Sequence, residues 1–138
     1  MTRFMSAAAG TMLALAGLLL AGCNTPPNRT DAVARGNFLK YAGPPVESFT
    51  YLGHYNGFRT LGGRDVVVWT TVNDAWLITV MEPCPNLPYA NGLGLTSANG
   101  ATVTRSVDWV KFDHGRCRIE TLRHVDYLAM KQAGIAGP

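Results

Sequence analysis

The chain is poor in the residues from which active sites are usually assembled. Charged side chains make up 15% of its 138 residues, and it holds three histidines, three cysteines and four serines. His54, His114 and His124 stand at no metal-ligand spacing from one another. Cys-x-x-Cys and His-x-x-x-His pairs are also missing, so a zinc site has no motif behind it. Past residue 22 the serines are Ser48, Ser97 and Ser106, and none lies in a Gly-x-Ser-x-Gly elbow. Thr96-Ser97 reads as strand-end polarity. Gly-x-x-x-x-Gly-Lys and Cys-x-x-Cys-His are absent, which leaves no phosphate-cradling loop and no haem attachment. No metal, cofactor or catalytic residue is therefore expected. Setting Arg3 aside with the leader, the twelve basic residues become eleven against nine acids, a net charge of +2. That is too small to argue for nucleic acid as a partner. Internal repeats and low-complexity segments are absent too.

What the chain does have is a leader. Arg3 supplies a positive charge beside the N-terminus, and residues 7–21 are apolar apart from Gly10, Thr11 and Gly17. The run ends in Leu20-Ala21-Gly22-Cys23, the pattern of a bacterial lipobox. Counted from Phe4 the stretch approaches the ~20 residues of a membrane span, but its glycines and alanines and the placed cysteine favour a lipoprotein signal. Residues 1–22 are then removed and Cys23 carries the acyl chains. Two or three such chains make attachment to the membrane effectively permanent, whereas one is reversible. Asn24, not an aspartate, follows the cysteine, which favours the periplasmic face of the outer membrane over the inner membrane. Residues 23–36 are polar and proline-bearing and read as a tether, leaving residues 37–138 as one domain.

With Cys23 lipidated, Cys84 and Cys117 remain in an oxidising compartment with one pairing open to them. Closing that loop of about 33 residues is worth roughly 3.5–4 kcal/mol by chain entropy. The rival readings are a zinc site and a catalytic Cys117 helped by His114, and the latter requires the disulfide to be absent.

Fifteen glycines and few charges suit short strands and tight turns. Residues 46–52 alternate in part and read as a strand, and a short one is expected at 58–61. Val66-Val67-Val68-Trp69 and Trp76-Leu77-Ile78 are apolar on both faces, the mark of central strands. Residues 71–74 connect them. Pro83-Cys84-Pro85 stops the second strand, because proline cannot donate to a ladder. Asn99-Gly100 predicts a type I′ hairpin joining 93–98 to 101–107. Another hairpin joins 109–112 to 116–122 through Asp113-His114-Gly115, with a bulge closure at the glycine. A short helical turn is expected at 37–41. The chain closes in a helix capped by Asp126, stapled by Val125 and Met130 and ended at Gly134. The fold expected is mainly β: a curved antiparallel sheet or small open barrel of six or seven short strands with a C-terminal helix.

Gly43-Pro44-Pro45-Val46-Glu47-Ser48-Phe49, Val68-Trp69, Ala75-Trp76-Leu77, Pro83-Cys84-Pro85-Asn86-Leu87, Gly94-Leu95-Thr96-Ser97 and Gly115-Arg116-Cys117-Arg118-Ile119 follow one another in order. In this series the chain resembles a family of small proteobacterial lipoproteins, common in Xanthomonas-like bacteria and classed as a domain of unknown function. The resemblance runs from about Gly43 to Tyr127. It implies an exported, lipid-anchored, disulfide-bearing β-rich domain, and it brings no catalytic residues with it.

In the last strand Cys117 and Ile119 share the inner face, so Arg116, Arg118 and Glu120 point outward. Arg105 and Lys111 are expected to join that row, with Tyr51, Tyr55, Phe58 or Tyr89 nearby. The reading that follows is a non-enzymatic binding or interaction module of the envelope, held to the membrane through Cys23, with another envelope protein or a glycan as the expected partner. Two alternatives stay open: a small-ligand or glycan-binding protein using the arginine-bearing face, and an enzyme using Cys117–His114 or the carboxylates Asp65 and Asp74. The predicted strands place those carboxylates at opposite ends.

Overall fold

The structure is a computed structural model that describes residues 29–136; the leader and Cys23 lie outside the described residues. It begins with a helix, α1 (Arg29–Tyr41). Nine strands follow among the described residues: β1 (Ala42–Val46), β2 (Ser48–Thr50), β3 (Gly57–Thr60), β4 (Asp65–Trp69), β5 (Ala75–Val80), β6 (Leu93–Leu95), β7 (Thr102–Thr104), β8 (Trp109–Phe112) and β9 (Gly115–Val125). A helix, α2 (Tyr127–Gln132), closes the chain. The class is the expected one, a mostly antiparallel β domain, nearly closed on itself, with a C-terminal helix.

The eleven-residue β9 is the spine. One edge pairs with β5, which leads through β4 to β3. The other edge is shared, with β8 on its first half and β1 on its second, and β8 leads on to β6. A β2–β7 ribbon stands apart from this sheet. In β9 the partner of Thr79 is Thr121 and that of Val80 is Ile119, so Glu120 is an extra residue and the strand bulges there. A bulge bends the strand and shifts its in-and-out alternation. Ile119 and Leu122 consequently face one core, while Val125 faces another.

Those two cores explain why the central strands are apolar throughout. Val66, Val68, Ile78 and Val80 join the inner cluster with Cys84, Leu87, Val103, Val110, Cys117 and Ile119. Val67, Ala75 and Leu77 pack outward against Phe38 of α1 and Met130 of α2. Burying each such valine or leucine contributes about 1.5–3 kcal/mol, so both faces of β4 and β5 matter to stability.

Four local expectations need correction. The helix before the sheet starts at Arg29, so residues 29–36 belong to the fold and not to a tether, and the expected turn at 37–41 is only its last stretch. Ala34, Phe38 and Tyr41 all pack on the outer core, at the i, i+4, i+7 spacing of one helix face. Asp31 in the first turn and Lys40 in the last suit the helix dipole, and Pro44-Pro45 prevent its continuation. Residues 46–52 are two strands, not one: β1 pairs with β9 and β2 with β7, parting at Glu47.

Asn99-Gly100 turns the chain, but the strands on either side of it do not pair. β6 pairs with β8, and β7 pairs with β2. Side chains have taken over the turn, as Asn99 Oδ1 accepts from the amides of Ala101 and Thr102 and Ser97 Oγ bonds both backbone groups of Thr102. Such local bonds compete with a ladder. Last, the β8–β9 loop has two residues, Asp113 and His114, because Phe112 pairs directly with Gly115.

The C-terminal helix follows its sequence signals closely. Asp126 Oδ1 accepts from Ala129 N at 3.0 Å. Gly134 takes φ of 70°, with its amide on Lys131 O at 3.0 Å and the Ile135 amide on Met130 O at 3.1 Å. This is the Schellman arrangement, which needs the left-handed conformation that glycine adopts without strain.

Candidate functional site

The first half of β9 alternates as its sequence requires: Cys117 and Ile119 are buried, and Arg116, Arg118 and Glu120 are exposed. Cys84 and Cys117 form a disulfide with their Cα atoms 6.1 Å apart. Both sulfurs lie in the inner core. The bridge therefore ties the residue between the two arginines to the corner after β5. It also occupies the thiol that a Cys117–His114 nucleophile would need. His114 sits exposed in the hairpin loop. Asp65 pairs in register with Thr79, near the end of β5, while Asp74 directly precedes the start of β5. The two carboxylates are thus at opposite ends of the β4–β5 pair.

The outward row is real but organised differently from its sequence outline. Trp109 of β8 lies directly across from Arg118, and Lys111 across from Arg116. Both guanidinium groups approach the Trp109 ring, Arg116 at 4.7 Å and Arg118 at 4.6 Å from its centre. A cation over an indole near the surface contributes about 0.5–1 kcal/mol and holds a long side chain in place. Arg118 also donates to Ser106 O at 3.1 Å. Arg105 is turned to Glu47, donating from Nε at 2.9 Å and from Nη2 at 2.5 Å. That hydrogen bond holds the Glu47 carboxyl below its ordinary range. Glu120 is engaged by Arg64 from the β3–β4 turn. The face thus brings together Lys111, Arg116 and Arg118, while Arg105 and Glu120 have partners of their own.

Three of the aromatic residues expected beside this row belong to the interior. Tyr51 is part of the inner core and Tyr55 and Phe58 pack against it, while Tyr89 ends a 3₁₀ turn at Leu87–Tyr89 and stands 76% exposed. The residue that sequence reasoning passed over is Trp109. Its signal was available, because residues 109 and 111 share one face of a strand and pair with the arginine strand through a short hairpin.

Beneath the row lies Asp108, only 2% exposed. Its carboxylate accepts from Thr96 Oγ1 at 2.9 Å and from the Thr104 amide at 2.8 Å. Thr96 Oγ1 in turn accepts from the Trp109 amide at 2.8 Å. Ser106, at φ of 62°, bonds its amide to Ile119 O, and Asp108 O receives the Ile119 amide. This turn fixes both Trp109 and the carbonyl that Arg118 grips.

A second polar cluster sits at the far end of β9. Asp74 Oδ1 lies 2.7 Å from His124 Nε2, and Asp74 Oδ2 accepts from Thr70 Oγ1 and from Trp76 Nε1. Desolvation pushes the Asp74 carboxyl up, but the bonds from Thr70, His124 and Trp76 outweigh it and hold it below its ordinary range. Trp76 stacks on Phe49 at 4.4 Å and meets the His124 ring edge-on at 5.0 Å. A cleft of about 500 Å³ runs beside His124 between Lys40, Tyr41, Pro44, Val46 and Asp126. Another, of about 380 Å³, is walled by Trp69, Tyr127 and Val72 with Asn56, Thr71 and Lys131 at its edge. Neither cleft is lined by Arg105, Arg116 or Arg118.

Compared with known proteins, residues 2–136 match a family model described as "Family of unknown function (DUF6491)", and the chain belongs to that family. No curated protein and no solved structure matches it.

Proposed function

We propose that this member of a family without an assigned activity is a lipid-anchored lipoprotein of the cell envelope. In this reading it works as a non-enzymatic interaction module on the periplasmic side of the outer membrane. The anchor is supported by the Leu20-Ala21-Gly22-Cys23 pattern behind an apolar leader. The disulfide between Cys84 and Cys117 suits an oxidising compartment. The observation that carries the interaction reading is the exposed β8–β9 face, where Trp109 is held between Arg116 and Arg118 beside Lys111. A half-buried tryptophan with exposed arginines fixed against it supplies the side chains that dominate binding surfaces.

The second reading, a small anionic ligand or glycan held on the same face, has less support. The row runs along two paired strands, and the clefts described above lie away from it. Cross-linking the anchored protein in intact cells and identifying what is recovered tests the first reading. A partner lost on Trp109→Ala or on Arg116→Glu with Arg118→Glu supports it, and one recovered equally by both variants refutes the use of this face. Intact-mass measurement tests the anchor, since acylation of Cys23 with loss of residues 1–22 is the expected product.

A further inference from the structure

We infer that the outward side of the β8–β9 hairpin, presenting Trp109, Lys111, Arg116 and Arg118, seats on the anionic headgroups of the bilayer that holds the acyl chains of Cys23. The inference rests on the lipid anchor proposed above and gives the interaction face its occupant, the membrane surface in place of another envelope protein.

The first observation is the direction of α1. Its last residue, Tyr41, accepts the Asp126 amide at 2.9 Å, just beyond the end of β9. Six residues earlier Arg35 Nε meets Asp65 at 2.5 Å. Asp65 pairs with Thr79, and Thr79 with Thr121 of β9. The helix therefore runs parallel to β9 on the outer side of the sheet. From Arg35 it continues to Arg29, about 9 Å further at 1.5 Å per residue, toward Glu120, Arg118 and Arg116. The β3–β4 turn at this same end joins the two regions, because Arg64 reaches Glu120. So α1 covers the second half of β9, and the chain enters the fold at the edge of the half left uncovered.

The second observation is length. Six peptide units separate Cys23 from Arg29, and at ~3.3–3.6 Å each they reach about 20 Å at most. A body so closely held keeps its entry edge within reach of the headgroups.

The third is the distribution of charge. Among the described residues, Arg35, Arg64 and Arg105 each have a carboxylate partner, whereas no carboxylate lies within 4.0 Å of the charged groups of Lys111, Arg116 or Arg118. The neighbouring acids are engaged, with Glu120 on Arg64 and Asp113 accepting the Asn91 amide at 3.1 Å. A small net charge over the whole chain thus conceals a face of three uncompensated cations. Trp109 at its centre is the amphipathic ring found at membrane–water boundaries.

The test uses the three lysines, Lys40, Lys111 and Lys131, as reporters. The full lipidated protein is placed in vesicles of phosphatidylethanolamine with phosphatidylglycerol, or of phosphatidylcholine alone. It is then treated with a membrane-impermeant acetylating reagent and read by mass spectrometry. On the anionic vesicles Lys111 is expected to react about tenfold or more slowly relative to Lys131, since each basic residue at such a surface shifts the seated population by roughly fivefold. High salt, or Arg116→Glu with Arg118→Glu, should restore its rate. Equal reactivity of Lys111 on the two kinds of vesicle, with the protein anchored, would overturn the seat while leaving the anchor intact. Protection by inorganic phosphate in detergent equal to that by vesicles would overturn it as well, in favour of a free anion. Cys23 without acyl chains, visible in the intact mass before vesicles are added, would sink the anchor and the seat together.

Discussion

Reduction of the Cys84–Cys117 bridge is the sharpest perturbation available, because it removes one covalent bond and no side-chain volume. The bridge closes a sequence separation of 33 residues, for which the loop-entropy relation gives about 3.7 kcal/mol at 25 °C. The Cα atoms it joins, 6.1 Å apart, lie within the ordinary range for a disulfide. A domain of this size stands only about 5–15 kcal/mol above its unfolded state, so the loss is a large share of the total. Each kcal/mol moves the midpoint of thermal unfolding of a domain near 100 residues by roughly 4–8 °C, and the reduced protein should therefore melt about 15 °C or more below the oxidised one. Urea unfolding with and without reductant measures the free-energy difference directly. In the reduced protein β9 should still pair with β5 and β8, because the backbone bonds that hold it do not depend on sulfur. A difference under ~1 kcal/mol would refute the reasoning, since it would mean that the chain between residues 84 and 117 is already restricted before folding.

Three further outcomes are expected. Asp108→Ala should cost about 2–4 kcal/mol in urea unfolding, because it strands the part-buried Thr104 amide and Thr96 hydroxyl together. Asp108→Asn should cost less. Asp74 has a folded pKa lowered below its unfolded value. Its contribution is therefore present above the unfolded pKa and lost as pH falls through the folded one. Asp74→Asn should flatten the acid limb of the stability curve, and an unchanged limb would count against the Thr70–Asp74–His124 cluster. Gly134→Ala should lower stability by about 1 kcal/mol, the cost of forcing a Cβ into the left-handed terminator of α2.

Parts of this fold can be read from the chain because they depend on neighbours a few residues away. Asp126, Val125, Met130 and Gly134 announce α2 by spacing alone. The alternation from Arg116 to Glu120 assigns every side chain of that stretch to a face. The helix α1 was less legible. Its packing positions Ala34, Phe38 and Tyr41 have the right period, but two of the three are a small and an amphipathic residue, and the polar sequence around them resembles a tether. Asn99-Gly100 misled for the opposite reason: a strong local turn signal says how the chain bends and not which strands will pair.

The chain by itself determined the class of the fold and the outward direction of Arg116 and Arg118, because sterics, proline and strand alternation act over short distances. Tertiary structure alone decided that β6 joins β8 and that β7 leaves for β2. It also set Trp109 between the two arginines, brought Asp108 beneath them and joined His124 to Asp74 across 50 residues. These pairings are settled by which arrangement buries the two apolar faces of β4 and β5 at once, a competition among distant segments that no local pattern records.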